Sequence, residues 1–192
     1  QESWGEECDK ILDYYNRYGT ITERMWIDLD CACSPFCYGG NYASAKNASS
    51  TLKSQGSSNY DVKNITDSDP RTAWVEGQSD YGIGESFEID IDEFDMTQLS
   101  MLNGFQKSVK LWKLNSRVRT FKVYINNTPL CYLRLEDKMS RQYFDFYDLI
   151  DRNDIDDYDY QETLRFEIIN IYPGEKWKDV CISDFDAGYT GQ

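Results

Sequence analysis

Histidine is absent from this 192-residue chain, and its absence removes several kinds of chemistry at once. Ser-His-Asp and Cys-His nucleophile pairs need an imidazole, and so do histidine-bearing zinc sites. Positive charge is scarce as well: 20 Lys and Arg face 34 Asp and Glu, a net charge of -14. Long-range forces therefore oppose polyphosphate backbones and anionic membrane surfaces, so nucleic acid is not expected as a partner. Neutral sugars and cations are compatible with that field. Long apolar runs are missing too: nothing approaches the ~20 residues that span a bilayer, and membrane insertion is not expected. No charged-then-apolar leader precedes Gln1, and the expectation is an exported chain whose signal peptide has been removed from this numbering.

What is present bounds the architecture. Forty per cent hydrophobic residues, with 15% aromatic, suffice for one substantial domain plus an appendage. Six cysteines, Cys8, Cys31, Cys33, Cys37, Cys131 and Cys181, suit an oxidising compartment. Residues 1–40 read as a cysteine-rich extension and residues 41–192 as the main domain. Within the extension, Cys8, Ile11, Leu12, Tyr15 and Tyr18 follow helical spacing over Glu6 to Tyr18, and Gly19 stops the run. Local disulfides among its four cysteines are expected; their pairing is not encoded in the spacing. A cysteine-only zinc site there would require Cys-x-Cys followed by a cysteine after three residues, which is not a usual knuckle spacing.

The chain is organised around Tyr60 to Ile91. Asp67-Ser-Asp69-Pro-Arg-Thr72 predicts a tight turn, Trp74 follows, and after Gly77, Gly82 and Gly84 the run Phe87, Ile89, Ile91 alternates as a half-buried strand does. Further strands are predicted at Gly104 to Trp112, Thr120 to Ile125, Leu130 to Leu135, Gln142 to Phe146, Leu164 to Ile171 and Val180 to Phe185. Asn126-Asn127 signals a hairpin. The Ser-, Ala- and Asn-rich stretch from Asn41 to Asn59 reads as too polar for a core element. Many short strands with turn punctuation predict an all-β sandwich or jelly roll. On regular strands Cys131 and Cys181 both point inward, and a bridge between them, closing a loop of about fifty residues, is one expectation; two unpaired thiols are the other. The acidic segment Asp145 to Glu162 carries eight carboxylates but fails the EF-hand template, because Ile155 stands where an oxygen ligand is needed. It reads as a solvated connection.

The order Tyr60, Asn64, Asp67-x-Asp69-Pro-x-Thr72-x-Trp74, Gly82-Ile83-Gly84-Glu85 resembles the discoidin-like (coagulation-factor C-type) branch of the galactose-binding-like jelly rolls. Asn103-Gly104-Phe105-x-Lys107-Ser108, Asn115-Ser116-Arg117-Val118 and Tyr172-Pro173-Gly174-x-Lys176-Trp177-x-Asp179, then Ile182-Ser183-Asp184, narrow the resemblance. They are similar to the subgroup named for the glycan-binding, translocation-assisting module of a bacterial NAD-glycohydrolase toxin. The likeness covers about three quarters of the chain, from near Tyr42 to near Gly188. It does not bring NAD cleavage with it, since that chemistry belongs to a separate domain of the toxin.

The resemblance implies a structural calcium in the Asp67 turn, with Asp67, Asp69 and Thr72 as ligands and Asp184 completing the set from the last strand. Two departures stand against it: Ser68 occupies a place where the family often has Gly, and Asp184 is one methylene shorter than the usual Glu. Trp74 is assigned to packing. Tyr81, Trp112, Tyr172 and Trp177 are candidate sugar platforms, because they lie beside glycines and polar groups and a sugar ring needs an aromatic face. Lys107, Asn115, Arg117, Lys176 and Asp179 are candidate hydrogen-bonding groups, and they would equally suit a structural network that ties strands together. The expectation is a glycan- or glycoprotein-binding module, secreted or displayed on a cell surface, without catalytic residues or organic cofactor. A docking module beside other domains of an exported assembly is the alternative. A glycoside hydrolase ranks third, since no local motif nominates two facing carboxylates.

Overall fold

The computed structural model describes residues 43–91, 98–145 and 162–188. The helix expected over Glu6 to Tyr18, the four N-terminal cysteines and residues 146–161 of the acidic segment lie outside them. Nine strands are described: β1 Ala43–Ala48, β2 Trp74–Val75, β3 Ser86–Ile91, β4 Gln98–Asn103, β5 Arg117–Ile125, β6 Thr128–Arg134, β7 Gln142–Asp145, β8 Glu162–Tyr172 and β9 Cys181–Gly188. A short 3-10 turn at Val62–Ile65 and one α-helix, α1 (Val109–Leu114), interrupt them. The strands form a five-stranded sheet in the order β1-β3-β8-β5-β6 and a four-stranded sheet in the order β2-β9-β4-β7. Every strand pair is antiparallel. Among the described residues no helix is long and apolar enough to cross a membrane.

The alternation in β3 does what its period requires: Phe87, Ile89 and Ile91 enter the core. Phe87 and Phe166 stack within the larger sheet at 5.1 Å, and Trp74 on Phe87 and Phe185 on Phe166, both at 5.3 Å, carry the aromatic core across to the smaller one. Trp74 is fully buried and donates its indole N–H to the Ser50 carbonyl at 3.0 Å, so it is a packing residue as expected. Asn126 and Asn127 take φ values of 46° and 69°, the conformation of a two-residue type I′ hairpin between β5 and β6.

Three expectations are corrected. The stretch Gly104 to Trp112 is not a strand. The strand in that region is β4, which ends at Asn103; Gly104 turns the chain at φ 85°, and Ser108 caps α1 by accepting the Leu111 amide at 3.2 Å. Residues 43–48 do form a strand, because Ala43 and Ala45 are small enough to bury against β3 despite the polar composition around them. Finally, Cys131 and Cys181 are not bridged. A register shift between β4 and β9 puts both Ile182 and Phe185 in the core, so Cys181 faces the other way, against Ala73 and Val75, while Cys131 packs toward the main core. One extra residue in the ladder separates the thiols.

Candidate functional site

At one end of the sandwich the loops between strands gather the residues that carry the motifs. The β8–β9 loop wraps the C-terminus of α1: Glu175 donates its amide to the Lys113 carbonyl at 3.0 Å, and Lys176 and Trp177 donate theirs to the Leu114 carbonyl at 3.2 and 2.8 Å. These are the helix-end carbonyls that would otherwise lack partners. Gly174 is required for the approach, since a Cβ there would lie 2.5 Å from the Leu114 oxygen and the Asn115 carbonyl carbon. Ser116 completes the joint: its hydroxyl donates to the Trp177 carbonyl and accepts the Gly174 amide, both at 3.0 Å.

Behind this joint lies a polar knot centred on Arg117, which is buried. Its guanidinium makes a two-pronged ion pair with Asp137 at 2.7 and 3.1 Å and donates to the carbonyls of Trp112 and Asn115 at 3.1 and 2.8 Å. The cation lies 4.3 Å from the centre of the Trp112 ring, whose indole N–H donates to the Asn103 carbonyl at 2.9 Å. Arg117 and Trp112 therefore have their bonding capacity committed to the scaffold.

In front of the joint is an open cavity of about 310 Å3, lined by Leu52, Gln55, Tyr60, Val75, Phe105, Leu111, Asn115, Trp177 and Asp179. Four separate chain segments supply these residues. Tyr60 and Phe105 meet edge to face at 6.5 Å. Burial raises the Asp179 carboxyl above the usual range. Among the described residues no Lys or Arg forms an ion pair with it.

Of the nine residues expected to hold a ligand, the structure gathers Asn115, Trp177 and Asp179 at the cavity. Trp112 and Arg117 belong to the knot behind it. Tyr172 turns its hydroxyl to the Leu135 carbonyl at 3.0 Å, Lys178 covers the Tyr81 ring at 5.5 Å, and Lys176 covers the Trp177 ring at 4.8 Å. Lys107 is exposed and not part of the lining; its charge helps to lower the Asp69 carboxyl. Tyr60 and Phe105 were in the motifs but were not nominated as ligand contacts. The positive-φ glycine immediately before Phe105 was the available signal, because it lifts that ring off the strand.

The Asp67 turn forms as its sequence demands. Asp67 accepts the Asp69 amide at 2.9 Å, and Ser68 takes φ 61°. The Thr72 hydroxyl has one proton and three acceptors around it: Asp67 Oδ2 and the Asp69 carbonyl, both at 2.9 Å, and the Asn64 carbonyl at 3.3 Å. Such a surplus of oxygens suits a hard cation. Asp69 joins the cluster by its backbone only, for its carboxylate grips Arg71 at 2.8 Å through both oxygens and is lowered to about 2 by that pair. Asp184 is ion-paired with Arg141, whose other arm donates to Ser100 at 2.9 Å. Burial raises the Asp184 carboxyl, and the nearby Asp67 charge adds to the effect. Among the described residues no three His, Cys, Asp or Glu side chains gather as one metal group, so an ion here would rest on Asp67, Thr72 and backbone carbonyls.

Two antiparallel sheets of five and four strands, with the Asp67 turn on one flank and loop-borne aromatics at one end, define a discoidin-like jelly roll of the galactose-binding type. Comparison with known proteins agrees. The chain belongs to the family of the NAD glycohydrolase translocation F5/8 type C domain, whose model matches residues 37–187. Similar solved structures include CpGH89CBM32-5 from Clostridium perfringens, in complex with GalNAc-β-1,3-galactose, at 11% identity and a TM-score of 0.53, covering 78% of this chain and 96% of that one. Another is CBM32-3 from a family 31 glycoside hydrolase of the same organism, at 15% identity and TM-score 0.54, covering 78% and 92%. The family 32 carbohydrate-binding module of Streptococcus pneumoniae EndoD aligns at 12% identity and TM-score 0.51, covering 79% and all of that chain (100%). At these identities the likeness is one of fold. No curated protein matches the sequence.

Proposed function

We propose that the protein is an exported glycan-binding module that holds a sugar without cleaving it. The observation that carries this reading is the cavity itself: Trp177, Tyr60 and Phe105 supply apolar faces for ring C–H groups, while Asp179, Asn115 and Gln55 supply hydrogen-bonding groups at its wall. That modules of the same fold bear carbohydrate-binding names, one of them solved with a disaccharide, supports it. Cleavage has little to work with. Glu76, whose carboxyl is raised to about 7 and which lies near Asp179, is wholly buried and out of reach of a sugar. A glycan array followed by titration calorimetry tests the reading, with Trp177→Ala expected to weaken binding at least tenfold, about 1.4 kcal/mol. A folded protein that is silent across host and microbial glycans would overturn it.

The same reading includes a structural calcium on the Asp67 turn, held by Asp67 Oδ2, the Thr72 hydroxyl and the carbonyls of Asn64 and Asp69. Asp184 would join only by releasing Arg141. An ion bound to the folded turn stabilises the fold by about 2.7 kcal/mol when calcium is a hundred times its dissociation constant. Chelator should lower the melting temperature of metal-loaded protein, and Asp67→Asn should abolish most of that drop. Equal melting temperatures with calcium and with chelator, in protein stripped beforehand, would leave the turn held by its own hydrogen bonds.

A further inference from the structure

Among the described residues the cavity lining holds one charged side chain, Asp179, and that charge is negative. We propose that the sugar it takes carries a free ammonium, as an unacetylated hexosamine does, with the ammonium against Asp179 and the ring against Trp177. This rests on the glycan-binding reading above and names the class of glycan.

The argument is one of unmet charge in an aromatic setting. A half-buried carboxylate with no paired cation among the described residues is costly to desolvate further unless the ligand brings the positive charge. Neutral hydroxyls satisfy it less well, and uronic, sialic or sulfated sugars would set like charges together. Tyr60 and Phe105 add ring faces that attract an ammonium. Lys176 lies over the Trp177 ring at the cavity edge and Lys178 over Tyr81, and among the described residues neither forms an ion pair with Asp179. Behind Val75 the Cys181 thiol is pushed well up, by burial first, then by Asp179 and Glu76, with Arg117 a weaker opposing influence.

A chain of net charge -14 attracts polycations everywhere, so the test must separate the cavity from the surface. The full chain is titrated calorimetrically, at ~0.15 M salt to screen exposed charge, with a β-linked glucosamine tetramer, with its N-acetylated counterpart, and with a uronate tetramer. The glucosamine tetramer is expected to bind at least tenfold tighter than the acetylated one, the uronate not to bind, and Asp179→Asn to bring the first ratio close to one. Among the described residues the Asp179 carboxylate accepts from its own backbone amide and from no neighbouring side chain, so this variant should fold; Trp177→Ala, which should lose both ligands, confirms the location. Equal or tighter binding of the acetylated tetramer overturns the ammonium proposal and leaves the glycan reading intact. A preference that survives Asp179→Asn also overturns it, placing the ammonium on the acidic surface. Silence toward these three and toward a full glycan array removes both readings together.

Discussion

Arg117→Ala should unfold at a much lower urea concentration than the wild type, with a loss of roughly 3–5 kcal/mol characteristic of a broken buried ion pair. The loss should fall toward the lower end of that range, because the Asp137 side chain is 37% exposed and water can partly replace its partner. Two further terms keep it from being small. The carbonyls of Trp112 and Asn115 lose their donor, and the Trp112 ring loses the cation that lies on it. Arg117→Lys should recover little, since an ammonium cannot reach a two-pronged carboxylate and two carbonyls from one point. Trp177→Ala should behave in the opposite manner, losing sugar with a minor change in stability. Equilibrium unfolding and calorimetry on both variants decide the matter. An Arg117→Ala protein as stable as the wild type but unable to bind would return Arg117 to the ligand site.

That contrast shows where sequence reasoning stopped. Asn115, Arg117, Trp177 and Asp179 form part of one motif set, and the motif does not say which side of the α1 joint each occupies. Arg117 points behind it, into the knot, and Asp179 in front of it, into the cavity. Strand identity was more legible, because a period of two survives in β3 and in the core of β8 without help from tertiary contacts. The failures follow from single residues that break a period. Gly104 and the Ser108 cap end a strand that composition alone would continue into α1. The shift between Leu102 and Asn103 rotates Cys181 out of the face it would share with Phe185 on a regular strand. β1 was hidden for another reason: buried alanines carry little hydrophobic signal, and their burial depends on β3 lying alongside.

The knot and the cavity share Asn115, and so stability and binding are coupled there. Its carbonyl accepts from Arg117, its amide side chain donates back to the Leu111 carbonyl at 2.8 Å, and its side chain lines the cavity. Leu111 lies on the same wall. A sugar that tightens around Trp177 therefore bears on the C-terminus of α1, where the β8–β9 loop is bonded. The site is built on a short helix clamped at both ends, which keeps Trp177 and Asp179 in place without a rigid strand beneath them.

Stability should fall steadily as pH rises from about 4.5 to 7, and Glu76 should be a leading cause. Its side chain is fully buried beside β2; Oε2 accepts the Gln78 amide at 2.7 Å and Oε1 the Val180 amide at 3.3 Å. Gly82 presses on it so closely that a Cβ there would sit 2.7 Å from its Cγ and Cδ. Burial outweighs the two amide donors, and the charges of Asp179 and Glu85 add to it, so the carboxyl is raised from 4.5 to about 7. The folded state thus binds this proton more tightly than the unfolded state. Below pH 4.5 the group is neutral in both states and costs nothing; between 4.5 and 7 the unfolded chain gains by ionising while the folded chain resists. Above 7 the full cost is present, at most roughly 3 kcal/mol at 1.36 kcal/mol per pH unit. Asp186, raised from 3.8 to about 6 chiefly by burial and holding one buried oxygen without a partner among the described residues, acts with the same sign over a slightly lower window. Asp69 acts oppositely: its lowered carboxyl favours the fold above pH 3.8 and withdraws that support as pH falls toward 2. Glu76→Gln keeps the bond to Gln78, gives up the longer one to Val180, and removes the ionisation. Urea unfolding at intervals from pH 4 to 8 should therefore show a shallower decline for Glu76→Gln, crossing above the wild type near neutrality. Parallel curves for the two proteins would mean that Glu76 ionises in the folded state at its ordinary pKa, with water reaching it past Gly82.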